Sequence, residues 1–173
     1  MKSYIWWIEG IGPGRLAIIE RPRGGDWLKI DVRDWKKSGL GIIVSALTSE
    51  ETAEWDLLEE ETSCKEMGLE FITFPIQDQN VPTSTKDVTA LACRLAAAVT
   101  EGKGVGIHCR AGIGRSALLA VSVMMVLGVD FETAWQNAST ARGFRVPNTD
   151  EQREWVRRVA VPLRSGKQRS ARR

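Results

Sequence analysis

Histidine occurs once and cysteine three times in 173 residues, and this scarcity excludes two classes of protein at the outset. Cys64, Cys93 and Cys109 have no paired spacing, so no disulfide framework is expected. His108 stands alone, no cluster has zinc-like spacing, and neither a metal nor another cofactor is expected. Long apolar runs are also missing. Ile5-Trp6-Trp7-Ile8 stops at Glu9, which speaks against a secretory segment, and residues 117–129 are too few to cross a bilayer and suit a buried core helix. Internal repeats and linkers are absent from the pattern.

What remains is an ordinary globular composition, 43% apolar and 27% charged, in a length that suits one well-buried domain and not two. The net charge of +2 conceals an asymmetry. Residues 164–173 hold Arg164, Lys167, Arg169, Arg172 and Arg173 with no acid, leaving 19 basic against 22 acidic residues over 1–163. Residues 1–163 are therefore read as a slightly acidic domain and 164–173 as a basic, disordered tail. Nucleic acid is not an expected partner, and a monomer is expected.

Turn residues and apolar periodicity divide the chain. Residues 4–8 and 15–20 read as strands around the turn Gly10–Gly14. Asp26 reads as the N-cap of an amphipathic segment from Trp27 to Lys37. The apolar run 41–47 has the character of a strand covered on both faces. Ser49 then reads as the cap of a helix reaching about Met67, with acids in its first turn. A strand over 69–74, a loop over 76–82, and a helix from Thr83 or Ser84 to about Glu101 follow. Two further helices are predicted at 130–141 and 149–160. Alternation of this kind predicts an α/β fold, one domain with a mainly parallel central sheet of about five strands and helices on both faces. The tryptophans are assigned mostly to the core.

The most informative stretch is Gly104-Val-Gly-Ile-His-Cys-Arg-Ala-Gly-Ile-Gly-Arg-Ser-Ala-Leu-Leu119. It places a short apolar strand before a glycine-rich turn, and Ser116 opens an apolar helix. Consecutive backbone amides at a helix N-terminus form an anion nest, and phosphate is the natural guest for residues 110–115. Cys109 lies in the same positive potential. An ordinary cysteine is only about 3% thiolate at neutral pH, and a helix N-terminus raises that fraction. Arg115 supplies a planar fork for two phosphoryl oxygens. Gly112 and Gly114 permit backbone angles and close approaches that side chains obstruct. Ser116 can donate to the sulfur. Cys-x5-Arg fits neither Cys64 nor Cys93, which are followed at that distance by Glu70 and Val99. The plainer reading of Cys109 is a buried thiol in a tight turn, which needs none of this apparatus.

The string His108-Cys109-x-x-Gly112-x-x-Arg115-Ser116 resembles the signature loop of the cysteine-dependent protein tyrosine phosphatases. Attack on a phosphomonoester then needs a separate acid for the departing oxygen. Asp78 is the candidate, in a loop after a strand expected to neighbour the signature strand. Phe74-Pro-Ile-Gln-Asp-Gln-Asn-Val-Pro82 is similar to the acid loop of the dual-specificity branch. An aspartate between prolines is otherwise a turn former. Asp87, Asp130 and Asp150 are weaker candidates.

The resemblance implies catalytic roles for Cys109, Arg115, Asp78 and Ser116, and phosphate binding by Arg110, Ala111, Gly112, Ile113, Gly114 and Arg115. It implies that His108 orients the loop, and that Gln152 places the hydrolytic water unless it is an exposed helix residue. Arg142 and Arg145 read as surface residues or as contacts to substrate, and Cys64 or Cys93 as buried residues or a redox partner of Cys109. The implied substrate is a phosphorylated protein, and the absence of lysine at Ala111 and Ile113 weighs against the phosphoinositide alternative. A reactive thiol points to the cytoplasm. A binding module without turnover, or sulfur or arsenate chemistry, are the remaining readings.

Overall fold

A computed structural model describes residues 4–161; the end of the expected domain at 163 and the basic tail 164–173 lie outside the described residues. Apolar alternation in β1 (Ile5–Ile8) and β2 (Arg15–Ile19) closes an antiparallel hairpin across the glycine-rich turn. The remaining strands, β3 (Ile42–Ser45), β4 (Glu70–Thr73) and β5 (Gly104–His108), join β2 in parallel. The five-stranded order is β1-β2-β5-β3-β4.

Both faces are covered, which is why β3 and β5 are buried along their whole length. Leu16, Ile18, Val44, Val105 and Ile107 point to one face, under α4 (Thr85–Thr100), α5 (Arg115–Val126) and α6 (Phe131–Arg142). Ala17, Ile19 and Ile43 point to the other, under α1 (Leu28–Lys37) and α3 (Glu60–Glu66). Successive strand residues face opposite ways, so one strand serves two cores. α5 is buried almost all round, as the apolar residues on every side of it require.

Helix starts differ in detail from expectation. Asp26 caps nothing: it lies inside a 3-10 turn, Gly25–Trp27, and α1 begins at Leu28 without a side-chain cap. Thr48, not Ser49, caps α2 (Ser49–Glu54), and it does so in a capping box with Glu51. The single helix expected to reach Met67 is two, because Asp56 takes a left-handed φ of 54° and breaks it. The break turns Leu57 inward, so that Leu57 and Cys64 both reach the core under α1. Ser84 and Asp130 do cap α4 and α6, and α7 (Asp150–Trp155) gives way to a 3-10 turn at Val156–Arg158.

Of the seven tryptophans only Trp35, Trp135 and Trp155 are core residues. Trp6, Trp7, Trp27 and Trp55 instead carry the guanidinium groups of Arg142, Arg15, Arg23 and Arg21 on their faces. Among the described residues no helix is long and apolar enough to cross a membrane.

Candidate active site

The loop from Cys109 to Gly114 joins the carboxyl end of β5 to the N-terminus of α5, beyond the strand ends where open α/β sheets bind ligands. Two glycines shape it for different reasons. Gly112 takes φ 66°, a conformation costly to residues with a Cβ. Gly114 is needed for space: a Cβ there would lie 2.6 Å from Asn148 Oδ1 and 2.8 Å from the Gln152 amide. Among the described residues none accepts a hydrogen bond from the backbone amides of residues 110–114. Cys109 is 3% exposed, and its Sγ lies 3.3 Å from Ser116 Oγ.

Arg115, the first residue of α5, is buried. Its Nη1 donates to Glu51 Oε2 (2.6 Å) and to the Ile76 carbonyl (2.8 Å), and its Nη2 to Glu51 Oε1 (2.8 Å). Asp78 Oδ1 stands 3.1 Å from the same Nη2, and Arg110 Nη1 lies 3.7 Å from the other Asp78 oxygen. Burial works against the charge on Arg115, but hydrogen bonding to Glu51 and the negative charges of Cys109, Glu51 and Asp78 outweigh it and raise its pKa. Burial likewise opposes ionisation of Glu51, and is outweighed by hydrogen bonds from Arg115 and the Thr48 amide, so its pKa falls below the usual carboxylate range. A depressed carboxyl pKa contributes stability above its unfolded value, lost only as pH falls through the folded one. The pair therefore persists through neutral pH.

Asp78 reaches this place by a route other than the expected one. β4 neighbours β3, not β5, so the strand before Asp78 sits at the sheet edge. The chain then crosses the end of β3, where Phe74 and Ile76 donate to the carbonyls of Ser45 and Ala46. That crossing returns Asp78 to the signature loop.

His108 is fully buried beneath the loop at the end of β5, with Nε2 2.8 Å from Glu60 Oε1, at an angle poor for a hydrogen bond. The loop contact expected of His108 is absent from its pairing among the described residues. Gln152 is not an exposed helix residue: it is buried against Gly114, donates from Nε2 to the Asn80 carbonyl at 3.1 Å, and leaves Oε1 unpaired. Asp87 lies in the first turn of α4, Asp130 caps α6, and Asp150 pairs with Arg145 on the surface, so none joins the cluster. Burial pushes the Cys64 thiol up to about 12, which leaves it protonated. Among the described residues no group of three or more His, Cys, Asp and Glu side chains is placed to hold a metal ion.

Two residues of the cluster escaped the sequence reading. Glu51 had a visible signal, the Thr-x-x-Glu spacing of a capping box, but nothing local said that its carboxylate also holds Arg115. Arg142, assigned to the surface or to substrate, is 9% exposed and braces the loop from behind. Its Nε donates to the Gly112 carbonyl at 2.6 Å, and its guanidinium is stacked between Trp6 and Phe144. Turning that carbonyl outward favours amides that face inward. Arg142→Met is expected to cost about 1.5–3 kcal/mol of stability, the worth of a charged hydrogen bond, read by urea unfolding.

A mainly parallel sheet ending in a Cys-x5-Arg loop places the chain in the cysteine-dependent protein tyrosine phosphatase superfamily. Within it, a family model described as dual specificity phosphatase, catalytic domain, matches residues 37–157, and the chain belongs to that family. It is a phosphatase of the cysteine-dependent class. Solved structures share the fold. Kinase associated phosphatase, with its catalytic cysteine changed to serine, aligns with TM-score 0.82 at 18% identity over 90% of this chain and 93% of its own. Tk-PTP in its active form aligns with TM-score 0.72 at 24% identity over 90% and 95%. PTPMT1 in complex with PI(5)P aligns with TM-score 0.70 at 17% identity over 87% and 92%. No curated protein matches the chain.

Proposed function

We propose that this phosphatase removes phosphate from phosphorylated proteins, on tyrosine and on serine or threonine, through a phosphocysteine intermediate. The observation that carries the reading is the 3.1 Å approach of Asp78 to Arg115, which brings an acid to a phosphate-shaped loop 31 residues further along the chain.

The thiolate of Cys109 attacks phosphorus while the free amides of residues 110–114 and the Arg115 guanidinium bind the equatorial oxygens. Charge in the transition state spreads onto those oxygens, so fixed donors stabilise it without reorganisation. The bond from phosphorus to the leaving oxygen breaks, and Asp78 gives that oxygen its proton. Asp78, now a carboxylate, takes a proton from water. The resulting hydroxide attacks phosphorus, the S–P bond breaks, and inorganic phosphate leaves. Ser116 Oγ donates to the departing sulfur. Gln152, with its unpaired Oε1 beside Gly114, is suited to hold the water. Bound phosphate competes with Asp78 for the Arg115 guanidinium, and Asp78, released from that pair, takes a proton from solvent and carries it to the leaving group.

Asp78→Asn tests the acid through its dependence on the leaving group. An alcohol that leaves poorly needs the proton most. The expected loss in kcat is about 10²-fold for phenyl phosphate and clearly smaller for p-nitrophenyl phosphate. Equal losses on both substrates would remove Asp78 from this role. A panel of phosphopeptides and phosphoinositides separates the protein substrate from the lipid one, for which the PI(5)P complex of PTPMT1 is the specific argument. Ala111 and Ile113, which add no positive charge to the loop, weigh toward phosphoprotein.

A further inference from the structure

Beside the catalytic loop lies a groove of about 870 Å³ that the proposed chemistry does not use. Its walls are the segment through α2 and α3 on one side and the loop from Pro75 to Thr83 on the other. The size falls within the range of specific binding sites. Phe71 and Val81, both half-buried, contribute apolar surface above the buried Leu57, and Leu58, 70% exposed, projects beside them with no core to enter. Together Leu58, Phe71 and Val81 give the groove an apolar strip that a partner's aliphatic side chain can cover.

Charge selects the occupant. No lysine or arginine lines the groove, whereas Glu50 and Glu61 stand exposed on its rim. They belong to a stretch, residues 49–66, with eight acidic side chains and a single basic one. On the other side of the acid loop lie Arg110 and Arg115. Gln77 and Asn80 line the groove and flank Asp78, whose carboxylate meets Arg110 and Arg115, so the acidic groove opens next to the cationic side of the acid loop. A ligand spanning both must carry a phosphate at one end and positive charge with an apolar side chain at the other. An inositol phosphate headgroup or an anionic membrane lacks the second half and is repelled by the glutamates.

We infer that this groove binds a basic segment of the phosphorylated protein substrate, with an aliphatic side chain of that segment against Leu58 and Phe71. The inference rests on the phosphoprotein reading above and adds a sequence preference to it.

The test uses two phosphopeptides with the same phosphoresidue, one flanked by leucine and arginines and the other by leucine and glutamates. Wild-type protein is expected to show a kcat/KM at least about tenfold higher for the basic peptide, falling with added salt. Glu50→Lys/Glu61→Lys is expected to abolish the preference through KM, with p-nitrophenyl phosphate turnover unchanged. Leu58→Ser is expected to raise KM for both peptides. Binding of the peptides to Cys109→Ser protein gives the same comparison without turnover. A failure of phosphatase chemistry therefore appears with p-nitrophenyl phosphate, and a failure of docking as equal peptide affinities. Equal affinities overturn the inference. So does a variant with the five basic residues of 164–173 changed to serine that binds the basic peptide about tenfold more tightly, since the groove would then belong to that segment.

Discussion

Cys109→Ser is expected to lower kcat/KM for p-nitrophenyl phosphate by at least about 10⁴-fold, equivalent to roughly 5 kcal/mol of transition-state stabilisation. The change replaces one atom. A thiol gives up its proton far more readily than a serine hydroxyl and is the better nucleophile once ionised, so the exchange of sulfur for oxygen removes the attacking group. His108, the only histidine in the sequence, lies beneath the loop facing Glu60 and is not turned toward an oxygen at position 109. The fold should be indifferent, because the smaller hydroxyl fits the same buried site and retains Ser116 as a partner. Vanadate should therefore still raise the melting temperature of the variant, through the amides of residues 110–114 and Arg115. Activity within tenfold of wild type would reject covalent catalysis at Cys109.

The second large effect is expected at Arg115. Arg115→Lys should reduce kcat/KM by about 10³-fold, or roughly 4 kcal/mol, and weaken vanadate binding in parallel. Charge alone is not what this site uses. The guanidinium donates along two edges at once, to both Glu51 oxygens and to the Ile76 carbonyl, while Asp78 lies at 3.1 Å from Nη2. A lysine ammonium meets one or two of these acceptors and leaves the rest desolvated without a donor. Removing one edge of a buried ion pair costs about 3–5 kcal/mol, so the melting temperature should fall as well. Glu51→Gln separates the two consequences. It keeps an acceptor for Nη1 and a cap for α2 while removing the charge, and should lose stability with a much smaller loss of turnover. Equal turnover losses in both variants would mean that Arg115 acts only as a structural member of the core.

Residues adjacent in sequence were the ones whose chemistry could be read directly. Cys109, Gly112, Arg115 and Ser116 sit on one turn, and a turn of this length between strand and helix has few conformations. Their relation follows from local geometry, as do the caps at Ser84 and Asp130. The misreadings concern relations across the fold. The strand leading to Asp78 was expected beside the signature strand, yet β3 stands between them, because pairing order is decided by which apolar faces can be buried together. Gln152 reads as a polar residue near the start of a helix, a position usually exposed, and is buried because Gly114 has no side chain to exclude it. Arg142 reads as a surface arginine at a helix end, and is drawn under the loop by the Gly112 carbonyl and the Trp6 ring.

Trp6 also shows what residues 1–39 contribute, a stretch with no motif of its own. The hairpin of β1 and β2 closes one edge of the sheet and lays an aromatic face behind the Cys109–Gly114 loop. The chain alone determined the layered α/β plan and brought the proposed nucleophile Cys109, Arg115 and their glycines onto one turn, since each depends on neighbours along the backbone or on periodic burial. Folding in three dimensions decided which carboxylate grips Arg115, how Asp78 arrives there, and which groove lies beside it. Glu51 and Asp78 stand 64 and 37 residues from Arg115 in the chain, and contacts over such separations are selected by packing and charge, not by local spacing.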